Sequence, residues 1–183
     1  LLMRDEYREL WGDIPIVLCS EENYLGPQET YTKKQAIATA DRTPLTQLAD
    51  PYNMVLLYSN LYLDENIQLI CHIVPEIKKF IFIGDARQIN QTNNLDIRNK
   101  LKKTHPNVEY QFITPQDMTT NQLLDSLYFV DPKTTGVLFS SWFYKTTFAG
   151  NTSLVSNAHK LIGTTAAPYS LSIWRTSPKK TAE

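Results

Sequence analysis

Lys79-Phe-Ile-Phe-Ile-Gly84-Asp85 is a short apolar run that stops on a glycine and a carboxylate. A run of this length, rich in aromatic and β-branched residues and bounded by turn residues, reads as a strand buried on both faces. Before it, Asp64 stands as an N-cap for a helix from Glu65 to Val74, with Ile67, Ile70, Cys71 and Val74 at helical spacing. Pro75 closes that helix by removing the donor that the next turn needs. After the run, Ala86 to Asn94 reads as a polar loop. A second helix is predicted over Leu95 to Thr104, stopped by His105-Pro106-Asn107.

The same alternation continues downstream. Val108 to Thr114 reads as a strand, and Thr119/Thr120 cap a helix through Val130. Asp131-Pro132-Lys133 reads as a turn and Gly136 to Trp142 as a strand. A helix over Ser153 to Ile162, ended by Gly163, and a strand over Pro168 to Trp174 complete the series. Short apolar strands alternating with helices imply an α/β fold, a Rossmann-like parallel sheet with helices on both faces.

Upstream the order is less regular. Leu1 to Leu10 reads as an amphipathic helix that passes through Gly12-Asp13 into the apolar run Ile14 to Cys19. An α/β chain opening on a helix and then a strand is expected to have its first strand upstream, so the chain reads as a segment of a longer protein. Ser20 to Asp50 holds Pro27, Pro44 and many polar residues, and is predicted to be a surface excursion with a short helix at about Lys33 to Thr39. Met54 to Tyr58 is again apolar, and 176–183 is a polar tail.

Charge and motif arithmetic narrow the function classes. The 183 residues carry 18 Lys+Arg against 19 Asp+Glu, a net charge of -1, so no nucleic-acid partner is expected. No apolar run approaches the roughly 18 residues of a membrane span. Cys19 and Cys71 admit a disulfide, but two buried free thiols are the simpler expectation. His72, His105 and His159 stand far apart and no CxxC occurs, so no metal is expected. With six glycines there is no GxGxxG and no GxxxxGK[ST], so no cofactor is expected either. Ser140 and Ser141 lack the glycines of a nucleophile elbow. Glu21 and Glu22 are adjacent and point apart in an extended loop, and Asp85 lacks the spacing of a receiver-domain phosphoacceptor. The chain is not expected to be an enzyme.

In open parallel sheets, ligands bind at the carboxyl ends of the strands. Those ends supply Ser20, Glu21, Asn23 and Tyr24, then Asp85, Thr114, Ser141 and Trp142. Trp142-Phe-Tyr144, just past a strand end, has two readings: the aromatic wall of a small-molecule pocket, or packing against the segment that follows.

Ile14-Pro-Ile-Val-Leu-Cys19, Asp64-Glu-Asn-Ile-Gln-Leu-Ile70 and Pro75-Glu-Ile-Lys-Lys-Phe-Ile-Phe-Ile-Gly-Asp85 together resemble the ABC-transporter substrate-binding-protein-like family. They look most like its version in the extracytoplasmic sensor regions of bacterial two-component histidine kinases. That family carries an "iPvVf" strand, an "N-x-x-L-I" helix and a "P-x-x-K-K-I-x-V-I-x-D" turn and strand. The resemblance runs from about Gly12 to Trp174 and implies a type I periplasmic-binding fold, two lobes closing on a ligand across a hinge. On that mapping 1–53 is the end of an N-terminal lobe, 54–63 a hinge crossing and 64–175 the C-terminal lobe. It implies a small-molecule-binding sensor domain whose cleft is lined by Ser20, Glu21, Asn23 and Tyr24 from one lobe and by Asp85, Thr114, Ser141 and Trp142 from the other. The implied partners are a small-molecule ligand, a kinase module downstream in the same chain and a second copy in a homodimer. The implied location is periplasmic or extracytoplasmic, attached to an inner-membrane protein. The alternatives are a free substrate-binding protein of an ABC transporter, a flavodoxin-like enzyme, and an interaction domain that dimerises through tyrosine-rich surface.

Overall fold

The computed structural model describes residues 14–49, 53–58, 61–142 and 170–172, with the backbone alone at 48–49 and 170–172. The helices expected over Leu1 to Leu10 and Ser153 to Ile162, and the polar tail, lie outside the described residues. The described chain falls into two compact units. One takes in 14–33, 37–49, 53–58 and 61, and the other takes in 34–36, 62–142 and 170–172.

In the second unit, strands β5 (Lys79–Ile83), β6 (Glu109–Ile113), β7 (Thr135–Phe139) and β8 (Ser170–Ser172) form one sheet in the order β6-β5-β7-β8, every pair parallel. This is the parallel α/β arrangement that the alternating pattern predicts. Side chains alternate across β5, and each face has its own core. Phe80 and Phe82 pack with Ile67 and Ile70 of helix α3 (Leu63–Ile73), with Ile97 and Leu101 of helix α4 (Gln88–Thr104), and with Leu138. Ile81 and Ile83 face the other way, onto Leu123 and Leu127 of helix α5 (Thr120–Tyr128), with Ile113, Val137, Phe139 and Trp142. Helices therefore cover both faces of the sheet.

Local chemistry explains the boundaries. Helix α5 opens on a capping box: Thr119 Oγ1 accepts from Gln122 N at 3.3 Å, while Gln122 Oε1 accepts from Thr119 N at 2.9 Å. Helix α3 is capped by Tyr62 in the left-handed region (φ 46°), not by Asp64, which lies in the first turn and accepts a 2.9 Å bond from Lys100. A Cβ at Gly136 would run into Ile70 Cγ2, so this glycine is what lets α3 lie directly on β7.

One expectation is corrected here. The polar stretch after Asp85 is not a loop to Asn94: α4 begins at Gln88 and runs 17 residues. Asn90, Thr92 and Asn93 are buried within it, and their polarity hides the helical period that burial would otherwise show. Polar side chains occupy those positions because partners are waiting, Gln88 for Thr92 and the site described below for Asn90.

In the first unit, β1 (Ile16–Ser20) pairs in parallel with β4 (Met54–Tyr58) along the full length of both, from Ile16 opposite Met54 to Ser20 opposite Tyr58. The segment that the resemblance assigns to a hinge crossing thus contains a strand of this unit. β2 (Tyr24–Leu25) pairs antiparallel with β3 (Thr43–Pro44). The short helix expected at about 33–39 sits earlier, as α1 (Gln28–Thr32), begun by Pro27 and held by a 2.9 Å Glu29–Lys33 pair. It stops where Lys34 turns left-handed (φ 52°); a 3-10 turn follows at Thr39–Asp41, and helix α2 spans Leu45–Ala49. Both cysteines are free thiols, but Cys19 is exposed and Cys71 half-buried, against the expectation that both are buried. Cys19 is exposed because Val17, Cys19, Val55 and Leu57 share the outward face of the β1–β4 pair.

Candidate functional site

The chain leaves β5 through α4 to reach β6 on one side, then returns through α5 to β7 on the other. The crossovers from two neighbouring strands therefore diverge between β5 and β7. Such a switch point is the place where open parallel sheets bind ligands.

Asp85 follows β5 here, and Ser140-Ser141 follow β7. Asp85 is buried and is met by four donors in five contacts, the Arg87 Nε–H being shared between both oxygens. Oδ1 takes Arg87 N (2.9 Å), Arg87 Nε (3.0 Å) and Asn90 Nδ2 (2.8 Å), while Oδ2 takes Arg87 Nε (2.9 Å) and Ser141 Oγ (2.8 Å). Asn90 Nδ2 also reaches Ser141 Oγ at 2.9 Å, and its Oδ1 accepts from Ser140 Oγ at 2.8 Å. Gly84 makes room for this, since a Cβ there would stand 3.1 Å from both Asn90 Cγ and Phe112 Cε2. One amide thus joins the first turn of α4 to the ends of two strands.

The electrostatics follow from the same contacts. Burial pushes the Asp85 carboxyl up, but hydrogen bonds from the Arg87 side chain and backbone and from Ser141, with the Arg87 charge, outweigh it and hold it below its ordinary value. The carboxylate is therefore ionised at neutral pH. Arg87, 47% exposed, brings its guanidinium to this charge from the solvent side.

Two of the residues picked from strand ends, Asp85 and Ser141, are in direct contact here. Thr114 is not joined to them: its N and Oγ1 both donate to Asp117 Oδ2 at 2.8 Å, within its own turn. Trp142 takes the core reading of its two. It is buried in the cluster under α5, and its indole Nε1 donates to Thr120 Oγ1 at 3.1 Å. Ser20, Glu21, Asn23 and Tyr24 belong to the first unit. There Ser20 Oγ accepts from Glu22 N (3.1 Å), Tyr24 OH donates to Glu22 Oε1 (2.7 Å), and the Asn23 carbonyl accepts from Leu45 N (2.8 Å). Arg42 lies over the Tyr24 ring at 4.7 Å, and Glu21 is half-buried.

Sequence reasoning missed Asn90, the hub, and Arg87, the counter-charge. The available signal is a buried-helix period at Asn90, Ile97 and Leu101, which becomes visible once asparagine is admitted to a core face. Among the described residues no group of three or more His, Cys, Asp or Glu is placed to hold a metal, and no helix is long and apolar enough to cross a membrane. Comparison with protein-family models, with curated proteins and with solved structures finds no match to this chain.

Proposed function

We propose that the chain is a small-molecule-binding sensor domain of a signal-transduction protein, and that its ligand engages the switch point of the second unit through Asp85, Asn90, Ser140 and Ser141. The observation that carries this reading is the gathering of these four polar groups where the crossovers diverge. The finer assignments, a type I periplasmic-binding architecture coupled to a histidine kinase outside the cytoplasm, rest on the resemblance of the three quoted segments. In such a module the ligand acts by binding one conformation better than another. A flavin-binding, flavodoxin-like enzyme is disfavoured, because a phosphate at the start of α4 would meet the ionised Asp85 carboxylate.

The test is native mass spectrometry of the purified chain, followed by thermal-shift screening with amino acids, sugars, nucleosides and small organic acids. A hit should lose about tenfold or more in affinity in Ser141→Ala, about the worth of one hydrogen bond to a charged or buried group. Lys102→Ala, on the exposed side of α4, should change nothing. A ligand indifferent to Ser141→Ala, or no hit across the screen, overturns the reading.

A further inference from the structure

Phe129 is 83% exposed and Tyr128 74%, more than any other large hydrophobic among the described residues. They stack edge-on, ring centroids 5.3 Å apart at 90°, where α5 ends. Single exposed apolar residues are ordinary; a preassembled aromatic pair this bare is the informative kind of exposure. Three residues further on, Pro132 and Lys133 meet Ile73, Val74, Pro75 and Glu76 to line an open groove of about 270 Å³. Chain geometry keeps the Cα atoms of Phe129 and Pro132 within about 11 Å of each other. Knob and groove are thus neighbours at the amino-terminal edge of the sheet, the edge opposite the switch point.

We infer that this edge is an isologous interface, with Phe129 of one copy seated in the groove of a second copy of this chain. A two-fold contact requires one patch to carry both halves of every complementary pair. This patch does so twice. It holds an aromatic knob beside an apolar groove, and the groove carries one charge of each sign, Glu76 and Lys133. Neither forms an ion pair within 4 Å among the described residues, although Lys133 also stands beside Asp131, whose carboxyl is held below its ordinary value by the Lys133 backbone N–H, with a smaller pull from the Lys133 charge. Across the axis, Glu76 of each copy faces Lys133 of the other. The area fits a weak dimer. Two aromatics of this exposure offer roughly 300 Å² per copy, and with the surface they cover the total is about 1,200 Å², the lower end of a specific interface.

Sedimentation equilibrium of the full 183-residue chain tests this. The expected result is a monomer–dimer equilibrium that Phe129→Asp weakens by about tenfold or more, as for a central aromatic anchor. At 83% exposure that substitution leaves the fold intact, which circular dichroism checks. Glu76→Lys and Lys133→Glu should each weaken the dimer by about three- to tenfold, since symmetry makes each reversal act twice. The double reversal should restore it. A chain that stays monomeric at several hundred micromolar overturns the inference. So does a dimer indifferent to Phe129→Asp, or one dissociated by Val17→Asp on the β1–β4 face instead.

Discussion

Strands β5 and β1 are both five-residue apolar runs paired in parallel, yet Phe80 and Phe82 of β5 are buried while Val17 of β1 is 63% exposed and its neighbour Val55 is 59% exposed. The strands do not differ enough in composition to explain this; their surroundings do. β5 is followed within five residues by the 17-residue α4 and preceded by the 11-residue α3, and α5 arrives on the far face. Between β1 and β4 the described chain supplies two five-residue helices and, from that stretch, Ile37 and Leu45 as buried apolar residues. A parallel sheet becomes a core only when long helices flank it on both sides.

The largest expected effect separates the units directly. Phe80→Ala and Trp142→Ala, one on each face of the larger sheet, should each lower unfolding free energy by about 3–5 kcal/mol, against less than about 1 kcal/mol for Val55→Ala. Urea titration followed by far-ultraviolet circular dichroism measures both. A Val55 cost equal to that of Phe80 would break the comparison.

Gly136→Ala sharpens it from the opposite direction. Its methyl group would collide with Ile70 where α3 rests on β7, and overpacking of that kind should cost about 1–3 kcal/mol in the same titration.

Asp85→Asn should cost about 1–3 kcal/mol at neutral pH, because the new amide would point a donor at the buried groups that now donate to a carboxylate. The pH dependence has a definite sign. The Asp85 carboxyl is held lower in the folded chain than in the unfolded one, where it sits near 3.9. Its contribution is therefore present above that value and lost as pH falls through the folded value. Urea midpoints between pH 5 and 2 should fall less steeply in Asp85→Asn than in the parent. Equal slopes would remove Asp85 from the stability of this edge.

The smallest effect concerns a helix end. Thr119→Ala should cost about 1 kcal/mol through loss of its capping box, seen as a small downward shift in melting temperature.

Much of the larger unit was legible because its residues announce their period. Lys79–Ile83, Glu109–Ile113 and Thr135–Phe139 are near-continuous apolar or β-forming runs, and Thr119 with Gln122 is a cap readable from two residues. The start of α4 was not legible, because Asn90, Thr92 and Asn93 are polar and buried together, and the partners that account for the burial of Asn90 lie about 50 residues away. The same fact hid half of the site. Strand-end position found Asp85 and Ser141, but the hub is set by which side chains reach across the switch point. Trp142 shows the converse: a strand-end aromatic fills whatever volume the adjacent helix leaves, and here α5 leaves a place in the core.

The Asp85–Arg87 pair, in which one Nε–H is shared by both carboxylate oxygens, bears on the proposed recognition through ionic strength. The pairs Lys33–Glu29, Lys79–Glu109 and Lys100–Asp64 each have a partner more than half exposed, so salt screens them. Asp85 is 4% exposed, and its attraction to Arg87 persists at salt concentrations that silence the others. Within the pair the two charges cancel locally, so the pair itself exerts little long-range pull on an approaching ion. For the ligand proposed above, this pair should make capture little sensitive to salt, with discrimination resting on the fit of donors and acceptors at contact.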